Sequence, residues 1–241
     1  MNFFVENNQI VGNKIYIKDS DVNHIKNVLR KKPGDKIFVV SNGVEYETEI
    51  IDLSSDNIEC EIIEKKQTKV DGPELTIYQG LAKADKIEYI IQKCSELGVH
   101  EIVPVCLKRC VVKLDGKDKL KKIERWQKIA EVAAKQSLRN DILKVQKIAS
   151  FEQMLEEFKE FDYVIMAYEK EKNSLKNAIK NISNLNSKIA VVIGPEGGID
   201  EPEAEKMIEA GAISVSLGKR ILRTETAPVA ISAIIMYELE M

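Results

Sequence analysis

The chain has 241 residues, 44% apolar and 31% charged, with a formal net charge of −3. That length suits one large domain or two modest ones, and the composition excludes a disordered chain. No apolar run approaches the length of a membrane span, and the opening MNFFVENNQI has neither a basic region nor an apolar stretch, so the cytoplasm is the expected location.

Residues 1–70 read as a small β domain. VEYETEI alternates Val44, Tyr46, Thr48 and Ile50 with three glutamates, and IECEI repeats the pattern with Ile58, Cys60 and Ile62. Ser41-Asn42-Gly43 and Ser54-Ser55-Asp56-Asn57 supply hairpin turns. One helical stretch, DVNHIKNVLRKKPGD, gathers Val22, Ile25, Val28 and Leu29 on an inward face and ends at Pro33-Gly34, its basic residues facing outward. A boundary is expected at Asp71-Gly72-Pro73.

From Leu75 onward strands and helices alternate. LTIYQGL is a strand, ADKIEYIIQKCSELG a helix stopped by Gly98, IVPVC a strand and KIERWQKIAEVAAKQS a helix. YVIMAY, IAVVI and ISVSL are further strands, each followed by a helical stretch, which predicts an α/β domain with a largely parallel sheet. The last helix, Ala227–Leu239, is apolar on most sides, as a helix at an interface or one buried in its own domain would be.

Charge is segregated. Residues 108–147 hold thirteen Lys or Arg against five Asp or Glu, a balance of +8, and His24–Lys36 sets Lys26, Arg30, Lys31, Lys32 and Lys36 against Asp35 alone. Such clustering makes a basic face that net charge conceals, although solvated helix faces would look the same. Four cysteines sit in apolar surroundings. Cys106 and Cys110 bracket Lys108 and Arg109, but no second pair or nearby histidine completes a zinc set, so the expectation is no metal and reduced, buried thiols.

Two loops at strand ends carry the chemistry. After the buried strand Ile189–Ile193 comes Gly194-Pro195-Glu196-Gly197-Gly198, then a helix from about Glu201. Its glycines offer bare backbone to a ligand, and the spacing fits neither a P-loop nor G-x-G-x-x-G. Pro195 removes a donor, which suits a purine or neutral group better than a triphosphate. The second loop, SLGKRILRTETAPVA, sets Lys219, Arg220, Arg223 and Glu225 within seven residues, with Ile221 and Leu222 between and Thr226 as the expected cap of the last helix. Taken singly, the first loop could be an ordinary turn and the second a solvated, charged lead-in to the last helix; together, bare backbone, an apolar lining, two carboxylates and an arginine are what usually furnish an adenosine-type cofactor site.

GPEGG followed by LGKRILRTETA resembles the paired signature of the ribosomal RNA small subunit methyltransferase E family, within the SPOUT superfamily. The resemblance runs over nearly the whole chain: Asn23–Arg30, KADKIEYIIQKCSELGVHEIVPV, ERWQKIAEVAAKQSLR and the AYE at Ala167–Glu169 match further elements. Asn23 replaces a usual histidine, and Leu143 stands where a proline is common. The resemblance implies a PUA-like β-barrel over residues 1–70 and a methyltransferase domain over 73–241 whose last segment threads a trefoil knot, a topology that no periodicity predicts.

It also implies methylation of uridine N3, at position 1498 in the customary ribosomal numbering, in 16S rRNA of the small subunit, by a homodimer using S-adenosylmethionine, with no DNA or membrane partner. Gly194, Pro195, Glu196, Gly197, Gly198, Leu217, Gly218, Ile221 and Leu222 would hold the cofactor. N3 must lose a proton, so Glu225 or Glu196 is expected as the base, directly or through water, and Arg223 as the cation stabilising the uracil anion. For Glu196 a structural role, accepting loop N–H bonds, is the alternative. Arg30, Arg109, Lys113, Arg125, Lys135 and Arg139 are the RNA candidates. Two rivals stand beside this reading: a SPOUT enzyme acting on the ribose 2′-oxygen, and a non-catalytic RNA-binding or assembly factor.

Overall fold

The computed structural model describes residues 1–54, 56–67, 72–112, 116–182 and 184–240; Lys113 lies outside them. The chain divides into two compact units, one of residues 1–70 with 134–141 and one of residues 71–133 with 142–241.

The first unit is a six-stranded mixed sheet in the order β1-β4-β5-β6-β3-β2, formed by β1 (Asn2–Phe4), β2 (Ile10–Val11), β3 (Lys14–Ile17), β4 (Lys36–Ser41), β5 (Val44–Leu53) and β6 (Ile58–Gln67). Asn42 and Gly43 join β4 to β5 with φ of 47° and 74°, the two positive values that a tight twisted hairpin needs. The expected alternation holds where it matters most: Thr48, Ile50, Ile58 and Cys60 are fully buried, with Phe3, Ile15 and Ile17 in the same core.

The expected helix is shorter than its pattern. It begins as α1 (Ser20–Asn23) and winds on as a π-turn over His24–Val28, with Leu29 donating its N–H to the His24 carbonyl at 2.9 Å. The extra residue in that turn rotates later positions away from the core. Val22 and Ile25 are therefore buried while Val28 and Leu29 are exposed, the first at 62%. Arg30, at φ 52°, reverses the chain before Pro33 is reached. Residues 134–141 are held within this unit by the Lys135–Asp21 ion pair at 2.7 Å and by the Asn2 amide, which donates to the carbonyls of Leu138 and Arg139.

The second unit is built on a parallel sheet, seven-stranded among the described residues, in the order β10-β8-β7-β12-β11-β13 with β9 beside β8. Its strands are β7 (Glu74–Gly80), β8 (Glu101–Cys106), β9 (Lys144–Val145), β10 (Ala149–Ser150), β11 (Tyr163–Ala167), β12 (Lys188–Ile193) and β13 (Ile213–Val215). All its pairings are parallel. The helices are α2 (Ala84–Glu96), α3 (Gly116–Gln136), α4 (Phe151–Glu157), α5 (Leu175–Ile179), α6 (Glu201–Glu209) and α7 (Thr226–Glu240).

Strand side chains alternate between two cores, which is why β12 reads as a continuous apolar run. Ile189, Val191 and Ile193 join the core with α2, α3, α5 and α7, whereas Ala190 and Val192 join the core with α4 and α6. The chain thus leaves β7 toward one face through α2 and leaves the adjacent β12 toward the other through α6. Loops that diverge like this open a crevice at the carboxyl ends of the strands.

α7 begins with Thr226 as its first helical residue, so Thr226 is not the cap expected of it; Glu225 occupies the position before the helix. Much of its apolar character is absorbed inside the unit. Ile231 and Ile235 are fully buried, and Met236 packs close to Gly98 at the end of α2, while Ile234 and Tyr237 remain exposed. All four cysteines are free thiols. Burial raises Cys60 and Cys110 to about 11 and Cys94 to about 12, but Cys106, expected inside, is exposed at the end of β8.

Candidate active site

A cleft of about 510 Å³ opens at the carboxyl ends of β11, β12 and β13. Three loops line it: Ala167–Glu169 after β11, Gly194–Ile199 after β12, and Ser216–Thr224 after β13, with Lys86 reaching in from the first turn of α2. The nine residues expected to hold a cofactor, Gly194, Pro195, Glu196, Gly197, Gly198, Leu217, Gly218, Ile221 and Leu222, all line this one cleft.

The glycines of the first loop answer to different neighbours. A side chain on Gly194 would stand 3.0 Å from the turn at Gly198 and Ile199, and one on Gly197 would stand 3.0 Å from Arg109 Cβ. Gly198 has φ +72°, donates its N–H to the Pro195 carbonyl at 2.9 Å, and has Glu169 Oε1 3.0 Å from where a Cβ would lie. Gly80, at the end of β7, belongs to the same construction, since a Cβ there would meet the Pro195 ring and nitrogen at 2.6 Å. Protein atoms therefore crowd the glycine-rich loop from behind, whereas Gly218, at φ +123°, has open space around it.

Thr224 links the two loops. Its hydroxyl donates to the Gly194 carbonyl at 2.7 Å and accepts from the buried Gln79 amide at 3.0 Å, and that amide also donates to the Gly80 carbonyl. Between these anchors, the second loop is bare. Among the described residues, the peptide groups of Lys219, Arg220, Ile221 and Leu222 have no hydrogen-bond partner. Leu217 and Leu222 pack partly against the core, but Ile221 is 83% exposed.

The charges meet at the cleft floor. Lys86 Nζ lies 3.1 Å from Glu225 Oε2 and 3.5 Å from Glu196 Oε1, and the backbone N–H of Lys83 donates to the same Glu196 oxygen at 3.1 Å. Burial alone would raise both carboxyls. For each, its own backbone N–H and Lys86 more than offset that, joined by the Lys83 N–H at Glu196 and by Arg223 at Glu225, and both are held below the usual glutamate value. Lys86 is raised, chiefly by its bond to Glu225, so it stays an ammonium. Arg223 Nη1 stands 4.0 Å from Glu225 Oε1, with its side chain 83% exposed at the mouth.

Of the expected catalytic trio, Glu225 and Glu196 thus meet at Lys86, which sequence reasoning missed, while Arg223 approaches Glu225 alone from the mouth. A lysine in the first turn of an amphipathic helix reads as a solvated residue. Its signal lay in the helix starting directly after the first strand of the parallel sheet. Glu169 was likewise seen only as part of a matching segment.

The candidates for RNA phosphates are less uniform. Arg30 is exposed in the first unit. Arg125 is exposed and pairs with Glu88 at 2.9 Å. Arg109 holds Asp200 at 3.1 Å and donates to the Gly197 carbonyl at 3.2 Å, bracing the glycine-rich loop. Lys135 is engaged with Asp21, and Arg139 grips Asp141 through two bonds with its side chain 9% exposed. Among the described residues no cluster of three or more His, Cys, Asp or Glu fits a metal, and no helix is long and apolar enough to cross a membrane.

The site suits a flat heterocycle with both donors and acceptors, bound by free peptide groups beside Ile221 and Leu222. It does not resemble a polyphosphate cradle. Comparison with known proteins shows the family. Residues 70–236 match a family described as an RNA methyltransferase domain, and residues 17–63 one described as an RNA methyltransferase PUA domain. The chain is 41% identical to the ribosomal RNA small subunit methyltransferase E of Bacillus subtilis (strain 168), over 93% of this chain and 90% of that one. It is 35% identical to the protein of that name from Mesomycoplasma hyopneumoniae (strain 232), over 94% and 95%. A crystal structure of a ribosomal RNA small subunit methyltransferase E from Neisseria gonorrhoeae, bound to S-adenosyl methionine, superposes with a TM-score of 0.85 at 32% identity, covering 98% of this chain and 96% of that one. With an α/β parallel-sheet domain of SPOUT type, a PUA-like first domain and this cleft, the chain belongs to the ribosomal RNA small subunit methyltransferase E family.

Proposed function

We propose that this protein methylates N3 of a uridine in 16S rRNA of the small ribosomal subunit, using S-adenosylmethionine. The observation that carries the reading is the cleft of the second unit, where unpartnered peptide groups and apolar side chains adjoin a cluster of carboxylates and cations. The nine loop residues named above hold the cofactor, which supplies a methyl group made electrophilic by its sulfonium.

The chain's own residues handle the proton and the charge. Uracil N3 carries a proton that must leave, and the ring then spreads negative charge onto its carbonyl oxygens. Arg223, exposed and only loosely tied to Glu225, is free to meet that charge. Glu225 is the favoured proton acceptor, directly or through a water. Glu196 is more committed, since it takes the Lys83 N–H bond and so orders the loop. Both are ionised at neutral pH and ready to accept, and their lowered affinity for protons suits passing the proton on to solvent.

In this reading residues 1–70 serve the RNA and residues 73–241 the cofactor. The first domain carries Arg30, Lys31 and Lys32 without ion pairs among the described residues, beside the exposed Val28 and Leu29. Cations for phosphates next to apolar side chains for bases suit an irregular RNA segment. The enzyme works in the cytoplasm as a homodimer, with Ile234 and Tyr237 of α7 in the interface, and the loops after β11, β12 and β13 form a trefoil knot.

The test is nucleoside analysis of small-subunit rRNA from a strain lacking this protein, before and after incubation with the pure protein and S-adenosylmethionine. Chromatography against standards separates 3-methyluridine from 2′-O-methyluridine. Restoration of 3-methyluridine supports the proposal, the ribose-methylated product reassigns the reaction, and no product leaves a binding or assembly factor.

A further inference from the structure

Lys86 is the least conspicuous charge in the cleft and the most connected. It sits on α2, outside both signature loops, yet its ammonium lies within 3.5 Å of a carboxylate from each of them. Its side chain is only 24% exposed. Glu225 meets two cations through different oxygens, Lys86 at Oε2 and Arg223 at Oε1, the first at 3.1 Å and the second at 4.0 Å. The tight contact is the one to lysine, and the loose one is to the arginine that faces the cleft mouth.

That asymmetry has a chemical consequence. A carboxylate with two free oxygens and one arginine nearby forms a two-point pair with it, the geometry that guanidinium groups favour. Such a pair would draw Arg223 down against Glu225 and away from a substrate ring. Lys86 occupies one oxygen and so leaves Glu225 able to steer the arginine without capturing it. Glu196, the other carboxylate in contact with Lys86, comes from the loop after β12 and is itself fixed by the Lys83 N–H.

We infer that Lys86 is a positioning residue for methyl transfer, acting through Glu225 to keep the Arg223 guanidinium available to the substrate. The inference rests on the reaction proposed above. It assigns Lys86 no contact with substrate or cofactor.

The experiment compares wild type with Lys86→Met, Lys86→Gln, Lys86→Arg, Glu225→Gln and the double variant Lys86→Met/Glu225→Gln. Single-turnover rates are measured on small subunits lacking the modification, S-adenosylmethionine affinity by calorimetry, and folding by thermal melting. Lys86→Met should lower the single-turnover rate about tenfold or more, while KM for the small subunit and cofactor affinity change less than about twofold. Lys86→Arg should recover most of the rate, because it keeps a cation at Glu225. In the Glu225→Gln background, adding Lys86→Met should cost less than about twofold, since a residue that works through Glu225 has nothing left to act on.

A wild-type rate in Lys86→Met overturns the inference. So does a loss in cofactor affinity as large as the loss in rate, which would make Lys86 only a brace for the cofactor loops. So does a rate loss that multiplies with that of Glu225→Gln. If Lys86→Met melts far below wild type, Lys86→Gln, which carries no cation and is one bond too short to hold Glu225 as lysine does, is read by the same criteria. A wild-type protein that methylates nothing fails the proposed reaction instead, and the two failures are separate because wild type is assayed alongside.

Discussion

The floor and the mouth of the cleft are built on opposite plans. On the floor, Lys86 is shared by Glu196 and Glu225, Glu196 also accepts the Lys83 N–H, and Thr224 closes on the Gly194 carbonyl. At the mouth, Lys219 and Arg220 carry no ion pair among the described residues, the peptide groups of Lys219–Leu222 lack partners, and Ile221 and Arg223 are mostly exposed. A buried polar group without a partner is costly, so polar groups left unpaired are tolerated where water or a ligand reaches them. The floor's loops are tied to one another within the protein, although among the described residues Gln79 Oε1 and, apart from its ion pair with Lys86, Glu225 Oε2 stay buried without a hydrogen bond. The mouth is the part that the proposed cofactor would complete.

The contrast is broken most severely at Gly80. Gly80→Val places a branched side chain where even a Cβ would meet Pro195 at 2.6 Å, against backbone that cannot swing aside. Overpacking there should destabilise the protein by about 3 kcal/mol and lower its melting temperature by roughly 6–12 °C, with cofactor affinity lost as the floor is displaced. Calorimetric melting and cofactor titration measure both. A variant with wild-type values would mean that the floor is not rigid.

Arg223→Lys tests the mouth. Lysine keeps the charge but loses the planar fork, so single-turnover methylation should fall about tenfold or more with cofactor affinity nearly unchanged. An unaffected rate would remove the arginine from the chemistry and leave the proposed cofactor site untouched.

Thr224→Val removes the hydroxyl that joins the two halves and leaves the Gly194 carbonyl and the Gln79 amide short of a partner. A loss of about 1–3 kcal/mol is expected in urea unfolding. Below this in size comes an acid-dependent component. Glu196 and Glu225 are both held below the usual glutamate value, so their contribution to stability is present above the unfolded-state value of about 4.3 and is lost as pH falls through the depressed folded-state values. Glu225→Gln should therefore flatten the pH dependence of stability below about pH 4, where wild type falls away. The smallest stability effect belongs to Ile221→Ser, within about 0.5 kcal/mol, since the side chain is 83% exposed. Its cofactor affinity should still fall severalfold, and stability and binding that moved together would contradict the division between floor and mouth.

What the sequence revealed follows the same division. The strand Ile189–Ile193 was legible from its β-branched run, which the alternation of side chains between two cores explains, whereas the glycine-rich segment after it read equally as an ordinary turn until the cleft around it was seen. Lys86 was hidden because its role depends on two loops more than a hundred residues downstream, and helical periodicity sees only the helix. The basic stretch 108–147 was counted correctly, but its charges are spent in different ways. Arg109 braces a loop, Arg139 grips Asp141, and Lys135 pairs with Asp21. Ion pairing is a tertiary property that a charge count cannot resolve. The π-turn at His24–Val28 likewise broke an apolar stripe drawn for an ideal α-helix, exposing Val28.

Hydrogen exchange with and without S-adenosylhomocysteine tests most directly that this cleft binds the methyl donor through a floor already built and a mouth that is not. In the free protein, the amides of Gly198, Thr226 and Ala227, which are bonded to Pro195 and Arg223 carbonyls, should exchange more slowly than those of Lys219–Leu222, which have no partner among the described residues. Adding the cofactor product should slow exchange mainly in Gly218–Arg223, with little change on the floor. Protection that arises outside these loops, or equal new protection in floor and mouth alike, would contradict the account.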